Sequence, residues 1–275
     1  MKKDRAEKRQ QRKEAMRALT REKSKLTLII YAVVRLIVLG ILVRSAFTGQ
    51  TENIFTCVLT LFLLYLPSLV EWKMDIRLPS ALEITVVVFI FAAEILGELA
   101  CFYVNVPFWD KALHTVSGFI YAAVGYSMVD ILNRNHKVSF ELSPIFLALV
   151  AFCFSMTIGA LWEIFEYAVD CILVKDMQKD TVIQQITSVR LDPTNSNIPI
   201  TISGIEDVIV NGESLGLGGY LDIGLHDTMG DLIVNMIGAL VFSAIGFFQQ
   251  KNQKKSRIAS GFVPRSVEKE NGEHE

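Results

Sequence analysis

The chain has 275 residues, 51% of them hydrophobic, with a mean hydropathy of +0.38 and a formal net charge of -2. Charged residues make up 20% and crowd into a few segments, whereas soluble domains spread about a quarter of their residues as charges. Too little polar sequence remains to cover so much apolar surface, which excludes a soluble globular protein and leaves an α-helical membrane protein.

Residues 1–25 carry eleven Lys/Arg against four Asp/Glu. They read as a basic cytoplasmic arm that touches anionic headgroups. No aromatic residues are interleaved, so nucleic acid is not an expected partner. Six apolar runs follow, roughly Leu26–Phe47, Ile54–Val70, Leu82–Val104, Ala112–Leu132, Pro144–Val174 and Thr228–Phe248. Each approaches the ~20 residues that cross a bilayer core as a helix. Without period-2 alternation they are helices and not barrel strands, because lipid offers no partner for an open backbone. The expected fold is therefore an all-α polytopic membrane protein, with a six-helix bundle over 26–248 and a cytoplasmic tail over 249–275 that is partly disordered from about Ile258. The first run is too long for a signal peptide, is interrupted by Arg35, and lacks a small-residue cleavage site.

Lys and Arg set the expected orientation. A basic arm does not cross a membrane readily, so the N-terminus is cytoplasmic. Counting six spans makes loops 71–81 and 133–143 and the tail cytoplasmic too. They carry Lys73, Arg77, Arg134, Lys137, Lys251, Lys254 and Lys255. The long outer loop, 175–227, holds three Lys/Arg against eight Asp/Glu. It contains β-like runs at Thr181–Leu191, Ile198–Ser203 and Val208–Val210, separated by turn residues, which predicts a small β-containing lid between helices five and six. Cys57, Cys101, Cys153 and Cys171 lie in apolar runs without a CxxC pair and read as small buried side chains. Cys101 and Cys171 fall near outer helix ends, where a disulfide is open but unsupported.

Ionisable groups inside spans cost about 2.5–3.5 kcal/mol each on insertion scales, and a sequence keeps them where they pair, ligate or react. Helix three carries Glu94 and Glu98; helix four opens with Asp110 and His114; helix five carries Glu163, Glu166 and Asp170; helix six opens with His226, Asp227, Asp231 and Asn235. With the orientation above, all four sets fall at one depth, the outer half of the bilayer. Small residues continue each stripe: Gly118 and Ala122 after His114, Gly159 and Ser155 before Glu163, Ala239 and Ser243 after Asn235. The expected site is an outward-open polar pocket. So many carboxylates require protonation, help from Lys111, Arg44 or Arg35, or a bound cation. Asp110, His114, His226, Asp227 and Asp231 are the candidate ligands of a divalent metal, Glu163 and Glu166 the candidate general bases, and Glu94, Glu98, Asp170 and Asn235 line the rest.

The segments Trp109–His114, Trp162–Tyr167 and Asp227–Leu232, with Asn235 and Gly238, resemble the YjdF-like family of uncharacterised bacterial inner-membrane proteins over roughly residues 25–250. A looser similarity is to the VanZ-like family, which also opens one helix with Asp-Lys-x-x-His and carries a later Asp-x-x-x-Asn-x-x-Gly, here Asp231, Asn235 and Gly238. The resemblance implies a bacterial cell membrane and supplies little chemistry. Two functions stay open: a metal-assisted hydrolase or transferase acting on a lipid or lipid-linked envelope substrate, and a non-catalytic ion pathway or amphiphile-binding factor. Gly-x-Ser-x-Gly and His-Glu-x-x-His are absent, and Ser117-Gly118 lacks the His of lipid phosphatases.

Overall fold

The computed structural model describes residues 24–74, 76–133, 142–252, 261–263, 265 and 266. The basic arm, most of loop 133–143 and the end of the tail lie outside these residues. Among the described residues, six helical segments are long and apolar enough to cross a membrane: Lys25–Thr48, Thr51–Lys73, Ser80–Leu99, Trp109–Asp130, Pro144–Leu173 and Leu225–Lys251. The chain divides into two compact units, residues 1–158 with 234–275, and residues 159–233.

In the first unit, helix α1 (Lys25–Thr48) starts where Ser24 Oγ accepts the Thr27 N–H at 3.1 Å, and stops at Gly49 in the left-handed region, φ +71. Both ends follow cap chemistry. The second span is broken into α2 (Thr51–Leu63) and α3 (Leu66–Met74). Pro67 sits in the first turn of α3, where its missing N–H costs nothing. Arg35 answers the break: its Nη2 donates to the Leu64 carbonyl at 3.3 Å, with the guanidinium 5.1 Å from the Tyr31 ring centroid. It is engaged there and not among the carboxylates it was expected to offset. Strand β1 (Ile76–Arg77) leads into α4 (Ser80–Ile90), which continues as a π-helical segment, Phe91–Leu99. A short α5 (Phe102–Asn105) precedes α6 (Trp109–Asn133), and α7 (Pro144–Leu173) and α8 (Leu225–Asn252) complete the helices.

Two apolar clusters hold this unit. Tyr31, Val38, Cys57, Leu64 and Val87 build one; Ala122, Tyr126, Leu147, Ala151, Ala239 and Phe242 build the other. The Phe119 ring meets Phe242 edge-on at 5.0 Å. Gly118 lies on the backbone of Asn235, Gly238 on that of Thr115 and Phe119, and Gly246 on the Tyr126 ring. These contacts advance together in both helices, so α6 and α8 run parallel, as two spans of the same direction must. Large apolar side chains such as Leu36 and Phe55 point outward, the pattern of spans that face lipid.

Within the tail, Phe262 stacks edge-on with Phe119 at 5.0 Å, Val263 is buried in the second cluster, and β8 (Arg265–Ser266) pairs antiparallel with β1, while the disorder expected from about Ile258 concerns residues mostly outside the described ones. An apolar Phe-Val pair inside a charged tail was the signal for this packing. The cysteines depart from expectation: all four are free thiols, and only Cys57 is buried.

The second unit comprises the last part of α7, the first turns of α8, and the loop between them. The loop is β-containing as expected, but its strands are short: β2 (Val182–Ile183) pairs with β7 (Tyr220–Leu221), β3 (Gln185–Ser188) with β4 (Ile200–Ser203), and β5 (Ile209–Val210) with β6 (Glu213–Ser214). A 3-10 turn, Val189–Leu191, ends the first expected run.

Candidate functional site

Helix α6 presents Asp110 and His114 on one face, because residues four apart are stacked neighbours. His114 Nε2 lies 3.6 Å from Asp110 Oδ1, and the imidazole is buried. Below it the helix is packed to backbone contact. Ser117 Oγ donates to the His114 carbonyl at 2.9 Å, and Ser155 Oγ donates to the Gly118 carbonyl at 2.8 Å. Asn235 on α8, 1% exposed, donates through Nδ2 to Met156 Sδ at 3.6 Å. Its Oδ1 is buried without a hydrogen-bond partner among the described residues. Buried amide oxygens are normally satisfied, which makes Asn235 Oδ1 a candidate acceptor or ligating oxygen of the site. Trp109 Nε1 at the start of α6 is also buried without a partner there.

Glu94 and Glu98 lie in the π-helical segment, Glu94 half-buried and Glu98 exposed.

In the second unit, the buried stripe of α7 runs through Gly159, Glu163 and Glu166. Glu163 is 5% and Glu166 8% exposed. Trp162 Nε1 donates to Glu166 Oε1 at 2.8 Å, fixing that carboxylate. Asp231 is fully buried.

Other expected site residues hold the loop. Asp170 accepts the Met177 and Gln178 N–H groups at 2.6 and 2.9 Å, one on each oxygen. Asp227 Oδ2 accepts the Lys179 N–H at 2.8 Å, and the Gln178 side-chain amide reaches Thr228 Oγ1. The His226 side chain is 59% exposed, and its Nε2 stands 4.0 Å from Asp222 Oδ2. Asp222, which the sequence reading passed over, accepts the His226 N–H at 2.7 Å and the Thr181 N–H at 3.0 Å. Burial pushes the Asp222 carboxyl up, but the Thr181 and His226 N–H groups and the His226 charge together outweigh it and hold it below the ordinary value. Its signal was an Asp just ahead of a helix start.

A second omission is Glu83, 1% exposed at the start of α4, whose Oε1 accepts from the Tyr31 hydroxyl at 3.5 Å. Glu71, also buried, accepts the Leu78 N–H at 2.9 Å. Both lie near helix ends, where an acidic residue reads as a solvated boundary group, and only packing reveals their burial.

The family model described as a predicted membrane protein, DUF2238, matches residues 28–252. An uncharacterised protein of Thermotoga maritima is 32% identical over 84 residues, 30% of this chain and 41% of the relative. The match thus spans less than half the length of that curated relative. No solved structure matches the chain significantly. The resemblance to YjdF-like membrane proteins is consistent with these findings. With a match over most of its length, the chain belongs to the DUF2238 family of predicted membrane proteins.

Proposed function

We propose that this membrane protein carries an outward-facing intramembrane metal site, serving a hydrolase or transferase that acts on a lipid or lipid-linked envelope substrate. Asp110, His114 and Asp231 are the proposed ligands, Asn235 Oδ1 an additional oxygen donor, and Glu163 or Glu166 the general base. The observation that carries the reading is the burial of Asp231, Glu163 and His114 in segments otherwise built to meet lipid. Such groups are kept where they ligate, pair or react. Mixed oxygen and nitrogen donors suit a divalent ion. When bound, that ion would polarise a phosphoryl or carbonyl oxygen and lower the pKa of water. Glu163, shielded from solvent, would take the proton of the attacking group. His226 and Asp227 now rank below these as ligands, since one is exposed and the other is engaged with Lys179.

The non-catalytic reading as an ion pathway is less favoured, because Ala122, Ala239 and Phe242 pack as a closed apolar cluster beyond Asn235. Metal analysis of the purified protein tests the proposal. The wild type should hold about one equivalent of divalent ion per chain. His114→Ala and Asp231→Asn should each lower the affinity at least about tenfold, while Glu98→Gln leaves it unchanged. A wild type that binds neither Mg²⁺, Mn²⁺ nor Zn²⁺, and unfolds identically with chelator, removes the metal from the reading and leaves an amphiphile-binding role.

A further inference from the structure

The loop between α7 and α8 contains a module without a core of its own. The β2–β7 pair closes its neck, and residues 184–219 extend beyond it as two hairpins. From 184 to 218 the one buried residue is Asp192. Two-stranded hairpins are marginal in water and need a surface to pack on. The larger hairpin is two-faced. Antiparallel pairing of Ile186 with Ile202 and Ser188 with Ile200 sets three isoleucines on one side. Gln185, Thr187, Thr201 and Ser203 occupy the other, where Thr187 Oγ1 meets Thr201 Oγ1 at 3.0 Å and Ser203 donates to Gln185 at 3.2 Å. The polar face is hydrogen-bonded and finished. The apolar face is only partly covered: Ile186 is half-buried, Ile200 is 37% and Ile202 45% exposed, and Ile209 on the second hairpin is 70% exposed.

We propose that this module lies on the bilayer surface, its isoleucine face seated at the headgroup–acyl boundary of a zwitterionic leaflet. Three observations select lipid. Both ends of the loop run directly into membrane-crossing helices, so a bilayer is held within reach by covalent connection. The helix ends that flank the loop are likewise apolar and exposed, with Leu173 at 62%, Val174 at 88% and Ile223 at 82%. The module carries Arg190 against Asp192, Glu206, Asp207 and Glu213. Like charge disfavours pairing with a second copy and with anionic lipid, and leaves uncharged headgroups as the matching surface. Period-2 alternation then sinks one face and keeps the threonine face wet.

The test uses the full-length chain, with its four cysteines replaced by alanine, in phosphatidylcholine bilayers. Spin labels at Ile202→Cys and Thr201→Cys report collision with oxygen, which concentrates in lipid, and with a water-soluble nickel chelate. Position 202 should be reached several-fold more by oxygen and several-fold less by nickel than position 201, and adding anionic lipid should shrink the difference. Equal nickel access at both positions overturns the proposal. So does exclusion of both reagents at 202 with dipolar broadening between labels, which means a second copy covers the face. Should the cysteine-free chain not fold, trypsin cleavage after Arg190 in the wild-type background decides. The proposal requires the double variant Ile202→Ser, Ile209→Ser to be cut several-fold faster in bilayers, and equal rates overturn it.

Discussion

Glycine and carboxylate positions decide the most at the residue scale. A Cβ on Gly238 would stand 2.9 Å from Phe119 N and nearer still to the Thr115 carbonyl oxygen. Backbone cannot move aside as a flexible side chain can, so Gly238→Ala forces α6 and α8 apart. Overpacking of this kind costs about 1–3 kcal/mol, and thermal unfolding in detergent should show a lowered midpoint. Gly40, with open space around it, is the control, and Gly40→Ala should be neutral or slightly stabilising. The stripe of small residues was legible in the sequence, since spacing alone marks a helix face. The sequence did not show that Gly118 touches Asn235, an amide whose oxygen has no hydrogen-bond partner among the described residues.

Among the elements, the 175–227 loop shows where local patterning succeeds and stops. Strands β2 to β5 fall inside the runs that composition marked as β-like, while β6 and β7 fall outside them. The loop's organisation rests on aspartates that composition could not sort. Asp192 shapes one turn, accepting from Thr194 Oγ1 at 2.6 Å and from the N–H groups of Thr194, Ser196 and Ile198 at 2.9, 2.8 and 3.3 Å. The Thr194 hydroxyl foremost, with the N–H donors, lowers its carboxyl to about 2, against the pull of burial. A folded value below the unfolded one, ~3.9, means the unfolded state binds more protons. The stabilisation is therefore complete above pH ~4 and fades as the pH falls towards 2. Amide exchange at Ser196 and Ile198, compared with Thr201 from pH 6 to pH 2, should lose its relative protection over that window, and Asp192→Asn should lack the transition. The π-helical segment was illegible for a related reason: Phe91–Leu99 has ordinary helical composition, and its bonding phase depends on neighbours such as Tyr103, whose ring lies against Gly97.

For the molecule as a whole, six spans follow from length and apolarity, and the described helices agree with the expected limits to within a few residues. The fifth, 30 residues long, extends about 45 Å, more than a ~30 Å hydrocarbon core, so it tilts or protrudes. The charge distribution predicts that the loop faces outward and both termini inward. A membrane-impermeant maleimide applied to intact cells should label Ser196→Cys, and should label Gln250→Cys only after lysis. The opposite pattern would invert the topology and move the proposed site to the cytoplasmic half.

Sequence by itself determined the membrane class, the number and limits of the spans and the β-character of the loop. These depend on hydrophobic length and on period, which are properties of contiguous residues. Tertiary structure alone decided which ionisable groups are buried and which hold the chain together. Asp231 and Glu163 are buried, Asp170 and Asp227 clamp the loop through backbone N–H groups, and Glu83 meets Tyr31 across 52 positions of sequence. A carboxylate's role is set by the partner that reaches it, and those partners come from elsewhere in the chain, where spacing along one helix has no view.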